Sequence, residues 1–172
     1  MDMTRVMALD VGKVRIGVAL SDALGYTAQP LVTLWTKNPR EDLRSLHRLI
    51  RKHEVTRVVV GNPLHLSGDV SPWARKVQEF AADLGARTGV IVELWDERLT
   101  SRAAHEILNE AGHDRRDKAR KKIIDQVAAV VILRGWMEAQ EQARARQALL
   151  DGDLAVQVHE RESLIGETKE IL

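Results

Sequence analysis

The segment 6–22 constrains the fold more than any other part of the chain. It begins with an apolar run that ends on Asp10, as expected of a strand buried on both faces. Gly12 follows, and its conformational freedom permits a tight reversal of the backbone. The next residues alternate between large apolar and small or polar side chains, which is the period of a second strand. We therefore predict a central hairpin whose second strand leaves open space on one face.

Asp10 has two interpretations in this setting. A lone carboxylate at the end of a central strand is costly unless it is paired or binds a cation. It could cap the turn by accepting hydrogen bonds from its own loop. Alternatively it belongs to a functional site. This segment alone favours neither interpretation.

Length and composition narrow the class of protein. With 172 residues, 44% of them apolar, the chain can form one domain with a full core. The absence of cysteine excludes disulfides and thiolate metal sites, so oxygen or histidine must hold any metal. No apolar run approaches membrane-spanning length and no hydrophobic signal segment opens the chain, so we expect a cytoplasmic protein without a membrane partner.

The remaining pattern predicts an α/β fold. Strands are expected over 28–35, 57–61 and 90–95, and capping residues followed by apolar stripes predict helices over 38–53, 71–85, 100–112 and 123–143. This order implies a mixed five-stranded sheet, a three-strand antiparallel meander plus two parallel strands, with helices on both faces. We predict one domain over 1–143. The extension 144–172, where apolar residues alternate at 154, 156 and 158, is expected to be a frayed tail or a partner-binding strand.

Four carboxylates fall at places that favour chemistry. Asp10 ends the first strand, and Asp96 and Glu97 end the last core strand on opposite faces. Asp125 lies one turn into the last predicted helix among small apolar neighbours, although interaction with the helix N-terminus would also explain it. Acids from strand ends and a helix suit Mg²⁺ or Mn²⁺. Two such ions about 3.5–4 Å apart can stabilise the attacking and leaving oxygens of phosphodiester cleavage.

A basic run precedes Asp125. Such a run is usually a solvated loop, but beside an acidic site it would hold phosphates. Arg15 and Arg98 would add positive charge beside the same acidic site. The positive residues of the basic run are Arg115, Arg116, Lys118, Arg120, Lys121 and Lys122.

The four tryptophans could stack nucleic-acid bases, but we favour burial for each of them. They are Trp35, Trp73, Trp95 and Trp136.

Four blocks, in this order, resemble the YqgF family, also called RuvX, which is associated with Holliday junction resolution and with nuclease processing of pre-16S ribosomal RNA. The blocks lie at 9–22, 60–68, 96–101 and 125–129, so the resemblance covers most of the chain. It implies a ribonuclease H-like fold, distantly similar to RuvC resolvases, and a divalent-metal nuclease. Matched by position, it implies Asp10, Glu97 and Asp125 as catalytic acids and metal ligands.

The chain departs from the family pattern at three places. Lys13 carries the basic residue that the family often has at Val14, which implies a displaced phosphate contact at Lys13. Asn62 replaces a commonly apolar residue and would reshape its loop. No acid ends the 57–61 strand, where RuvC-like enzymes keep a glutamate, so Glu97 would substitute for it and the number of metal ions stays open.

Three functional hypotheses remain. The leading one is a metal-dependent nuclease acting on structured nucleic acid, either an RNA precursor or branched DNA. Symmetric cleavage of a junction would require a homodimer. The second is a non-catalytic nucleic-acid-binding or assembly module in which the acids are structural. The third is an ATP-binding domain of the actin or kinase type, where Asp-x-Gly also precedes a hairpin, but those proteins bind nucleotide between two such domains and this length suits one.

Overall fold

The computed structural model of the chain describes residues 5–65, 67–99 and 118–169, with side chains over 126–151 in the last range. The predicted helix over 100–112 lies outside the described residues, as do Arg115 and Arg116 of the basic run. Among the described residues no helix has both the length and the apolar character needed to cross a membrane.

Five strands of the described residues form one sheet in the order β3-β2-β1-β4-β5. The first three strands pair antiparallel, and β4 pairs parallel with both β1 and β5. The predicted mixed sheet is therefore confirmed. The strands are β1 (Arg5–Val11), β2 (Arg15–Ser21), β3 (Ala28–Trp35), β4 (Val55–Asn62) and β5 (Ile91–Asp96). The described helices are α1 (Pro39–Lys52), α2 (Pro72–Thr88), a 3-10 turn (Glu97–Leu99) and α3 (Lys118–Lys169).

Side-chain alternation divides the core between the two faces of the sheet. Met7 and Leu9 of β1 pack on the side of α1 and α2, which we call the α1/α2 face. Val6 and Ala8 of the same strand pack with Ile132 of α3 on the other side, the α3 face. Burying both faces explains the nearly continuous apolar runs of β1 and β4. Because Asp10 follows Ala8 by two residues, it belongs to the α3 face.

The helix starts follow the predicted caps. Asn38 precedes α1 and its side chain accepts a hydrogen bond from the Glu41 backbone N–H at 3.0 Å. Ser71 caps α2 in the same way. The end predicted for α2 at Gly85 is wrong, because the helix continues to a left-handed residue, Gly89. A Cβ at Gly85 would lie 3.4 Å from Val92, so this glycine allows close packing against β5.

The last helix is longer than predicted. It runs from Lys118 to Lys169 instead of over 123–143, so the interpretation of 154–158 as a strand is wrong. Three alternating positions are too few to override a neighbourhood rich in helix formers. The chain divides into two compact units, Met1–Met137 and Glu138–Leu172. The functional boundary at 143 stays a prediction.

Candidate active site

Asp10 lies near the carboxyl end of β1 between two glycines. It pairs with Gly17 of β2 on one side. On the other side Leu9 pairs with Val60, so Gly61 of β4 follows beside Asp10. The Asp10 residue is half-buried. Neighbours without side chains leave space around this position on the α3 face, which a ligand approaching the carboxylate requires.

Glu97 reaches the same part of the sheet from the end of β5. Its carboxylate lies over Gly61, because a Cβ built on that glycine would be 2.5 Å from Glu97 Oε1. The same Cβ would be 2.6 Å from Ile132 Cδ1 of α3. Glycine is therefore needed at position 61 for Glu97 and the helix to occupy their places. The structure brings Asp10 and Glu97 to the end of the sheet where β1 and β4 terminate, and Gly61 of β4 lies between them.

Asp96 belongs to the opposite face, as the sequence predicted. It pairs with Asn62, whose side chain accepts a hydrogen bond from Gln78 of α2. The Asp96 carboxylate accepts hydrogen bonds from the Arg98 backbone N–H at 3.0 Å and from Nε of its guanidinium at 2.9 Å. The side-chain hydrogen bonds from Arg98 hold the pKa of Asp96 below its ordinary value, against the opposing effect of burial. Asp96 therefore orders the turn that carries Glu97.

Asp125 falls within α3, but its side chain lies outside the described residues. Its position precedes the buried residues Ala129 and Ile132 by about one and two helical turns. These spacings place position 125 on the helix face that packs against the sheet. Among the described side chains no group of three acids or histidines could hold a metal ion. Of the three predicted catalytic acids, Asp10 and Glu97 are thus brought together, and only the backbone position of Asp125 is described.

A second polar cluster lies on the α3 face, towards the amino ends of β4 and β5. Glu93 of β5 accepts a hydrogen bond from Trp136 Nε1 of α3 at 2.8 Å. Glu93 also forms an ion pair with Arg57, whose guanidinium lies 5.8 Å from the centre of the Trp136 ring. We call Arg57, Glu93 and Trp136 the anchor cluster. Sequence analysis missed it, although Glu93 interrupts an otherwise apolar strand.

Two predicted nucleic-acid contacts pair with aromatic rings. Lys13 Nζ lies 5.7 Å from the centre of the Trp73 ring, and the Arg15 guanidinium lies 5.3 Å from that of Trp35. Burial was the wrong prediction for Trp35, which is 46% exposed. The guanidinium of Arg98 is engaged with Asp96. The remaining predicted contacts within α3 have no described side chains, and they are Lys118, Arg120, Lys121 and Lys122.

Sequence comparison finds close relatives over most of the chain. Residues 4–139 match the profile of a family described as "RuvX: Holliday junction resolvase". A Lachnospira eligens protein named "Putative pre-16S rRNA nuclease" is 46% identical over 140 residues, covering 80% of this chain and 99% of its own. A Moorella thermoacetica protein of the same name is 47% identical over 134 residues, covering 78% and 94%.

Structural comparison identifies the fold as ribonuclease H-like. The structure of Thermus thermophilus RuvC in complex with a Holliday junction substrate superposes with a TM-score of 0.51 at 14% identity, covering 80% of this chain and 96% of that one. The yeast mitochondrial Holliday junction resolvase gives a TM-score of 0.57 at 12% identity, covering 86% and 83%. At these identities the likeness shows the fold alone.

Proposed function

The chain belongs to the RuvX family, and from this premise we propose that it is a divalent-metal-dependent nuclease that hydrolyses phosphodiester bonds in structured nucleic acid. The proposal rests on the observation that two acids lie together at the carboxyl end of the central strands. Asp10 is flanked by Gly17 and Gly61, and the Glu97 carboxylate lies over Gly61. Two carboxylates brought to the same end of the central strands suit a site that receives a cation and a phosphate.

Mg²⁺ or Mn²⁺ fits the donors that these residues offer. Asp10, Glu97 and Asp125 would supply carboxylate oxygens, the ligands that hard cations prefer. Bound there, the metal would stabilise the negative charge that develops on the scissile phosphate and help to activate the attacking water. Asp96 stays outside this set because Arg98 engages it on the other face. Its role is to position the turn from which Glu97 extends.

Two substrates are proposed for this site. The names of the relatives support a precursor of small-subunit ribosomal RNA, and the family description supports branched DNA. Positive side chains around the acids would hold phosphates of either substrate. We propose as contacts Lys13, Arg15, Arg98, Arg115, Arg116, Lys118, Arg120, Lys121 and Lys122. If junction DNA is cut, two symmetric incisions require two sites, and we propose a homodimer in that case.

The test is cleavage of labelled precursor RNA and labelled junction DNA by purified protein, with Mg²⁺, Mn²⁺ or a chelator. We expect cleavage of at least one substrate, its loss in chelator, and its loss in Asp10→Asn. Asp83→Asn, which changes an exposed carboxylate on α2, is the matched control and should cleave as the wild type does. Near wild-type cleavage by Asp10→Asn in Mg²⁺ or Mn²⁺ would overturn the proposal.

A further inference from the structure

An aromatic and a basic side chain lie on the same face of the sheet as Asp10. Gly17, the cross-strand partner of Asp10, is itself paired with Thr33 of β3. Two residues towards the strand ends, Arg15 pairs with Trp35. Positions two apart in a strand share a face and are separated by about 7 Å. The Arg15–Trp35 pair therefore lies on the same face as Asp10, about 7 Å further along the strands, with Arg15 one strand and Trp35 two strands away from β1.

Trp35 is both exposed and held in place. Arg15 lies over its ring at 5.3 Å, yet 46% of the residue remains open to solvent. The next residue, Thr36, donates its backbone N–H to the Val14 carbonyl at 3.0 Å and its hydroxyl to the Lys13 carbonyl at 3.2 Å. These bonds fasten the end of β3 to the hairpin turn. An exposed large aromatic fixed by its backbone can bind a flat ligand at little cost in conformational entropy.

We propose that Trp35 and Arg15 form a binding site for an unpaired nucleotide about one to two nucleotides from the scissile phosphate, an inference that rests on nucleic acid being the substrate. The nucleobase stacks on the indole, and the guanidinium contacts the adjoining phosphate. Aromatic stacking tolerates every base, because each base has a π-face. Within a duplex those faces are covered by neighbouring bases. The site thus selects substrates in which the strand is open beside the cut.

The experiment measures binding of labelled oligonucleotides in chelator, where no cleavage occurs. The probes are single-stranded RNA, single-stranded DNA and the duplex form of each. Trp35→Leu should weaken binding to single strands about 5- to 150-fold, the range spanned by loss of one stacked base. Trp35→Phe, which keeps a ring, should retain most of the affinity. Tyr26→Leu is the matched control, since Tyr26 is 73% exposed in the β2–β3 turn, beyond the opposite end of β3.

Three readings decide the inference. Loss in Trp35→Leu on single strands with duplex binding within about twofold supports stacking, and the RNA and DNA probes show which strand uses it. Arg15→Gln should lower the slope of log affinity against log salt by about one. Equal losses on duplexes, unchanged single-strand binding, or no wild-type binding to single strands would overturn it.

The outcome is separable from that of the proposed nuclease. Cleavage that is indifferent to Trp35→Leu would overturn the nucleotide site and leave the nuclease in place. If the wild-type protein cleaves nothing but its binding to single strands depends on the Trp35 ring, the nuclease proposal is overturned and the nucleotide site stands. Melting temperatures of all variants accompany the binding data, so that a general loss of folded protein is recognised.

Discussion

Glu93 lies within β5 and Glu97 lies in the turn that follows it, and the two glutamates have different surroundings on the α3 face. Glu93 accepts a hydrogen bond from Trp136 and pairs with Arg57, both of them large side chains. The Glu97 carboxylate lies over Gly61, and Ile132 of α3 approaches the same position. Glu93 therefore joins β4, β5 and α3, whereas Glu97 occupies the position that the missing Cβ of Gly61 leaves open. The same residue type thus has two different surroundings on one face of the sheet.

The two regions are linked through α3. Trp136, in the anchor cluster, follows Ile132 by about one helical turn, and Ile132 contacts the Gly61 position beside Glu97. Gly135 adds a close contact, since a Cβ there would lie 3.3 Å from the Trp95 ring. The anchor cluster therefore fixes where α3 crosses the sheet. That crossing also sets where position 125 falls.

The largest expected effect separates the two glutamates directly. If Glu97 is a metal ligand as proposed, Glu97→Gln should lower cleavage by at least about 100-fold, because metal ligation would supply several kcal/mol of transition-state stabilisation. Its melting temperature should stay close to that of the wild type. Glu93→Gln should lower stability by about 1 kcal/mol, a modest value because Arg57 and Glu93 are each about one-third exposed and the ion pair is screened. Cleavage rate and melting temperature of both variants check the contrast.

The comparison fails if the two variants exchange behaviour. An active Glu97→Gln protein together with a stable and inactive Glu93→Gln protein would place the chemistry at the anchor cluster. Trp136→Phe serves as a second test of the anchor cluster, since it removes the indole N–H that donates to Glu93 together with part of the aromatic ring. It should follow Glu93→Gln in losing stability and retain cleavage.

A smaller effect is expected when the space over Gly61 is filled. Gly61→Ala would put a methyl group 2.5 Å from Glu97 Oε1 and 2.6 Å from Ile132 Cδ1, so both must move. We expect a loss of about 1–3 kcal/mol of stability from overpacking, with a fall in cleavage as Glu97 is displaced. Denaturant unfolding and cleavage rates measure the two losses.

The double variant Gly61→Ala, Ile132→Ala sharpens this test. Shortening Ile132 makes room on the helix side and relieves that part of the clash, but the contact with Glu97 remains. The loss of stability caused by Gly61→Ala should therefore be smaller in the Ile132→Ala background than in the wild type, while cleavage stays low. Full recovery of cleavage would mean that the helix, not the carboxylate, is what Gly61 accommodates.

The smallest effect concerns Asp96, the neighbour of Glu97 on the other face. Hydrogen bonds from Arg98 lower the pKa of Asp96 below the ordinary 3.8. This contribution to stability is therefore present above pH 3.8 and is lost as the pH falls through the lower folded-state pKa. Asp96→Asn should be slightly less stable than the wild type near neutral pH, and the difference should shrink in acid. Denaturant unfolding over a pH series measures it; a difference that grows in acid would contradict the assignment.

Local signals predicted much of the fold. Asn38 with Glu41 marked the start of α1, and the structure has that hydrogen bond. Gly12 marked the turn, where its N–H bonds the Arg15 carbonyl at 2.8 Å. The alternation after it gave β2 its buried and small-residue faces. These features depend on neighbours in sequence, so a pattern could reveal them.

The rest depends on partners distant in sequence. Glycine is common at helix ends, which favoured an end of α2 at Gly85. In the structure Gly85 instead allows Val92 to pack closely, and Gly89 caps the helix. Trp35 is apolar by type, and its exposure follows from its place at the end of an edge strand. The anchor cluster joins Arg57 and Glu93 to a helix far along the chain. No local pattern encodes such pairings.

The pairing order of the sheet has a consequence for the timing of assembly. The strands β1, β2 and β3 pair with their neighbours in sequence. The parallel pairs β1–β4 and β4–β5 join strands that are separated by longer stretches of chain. Closing long loops is slow compared with forming hairpins, so we expect the meander to form early and the parallel half to dock later. Asp10 belongs to the early half and Glu97 follows the last strand to join. A nascent chain would then carry each acid separately, and the proposed nuclease site would exist only once folding is complete.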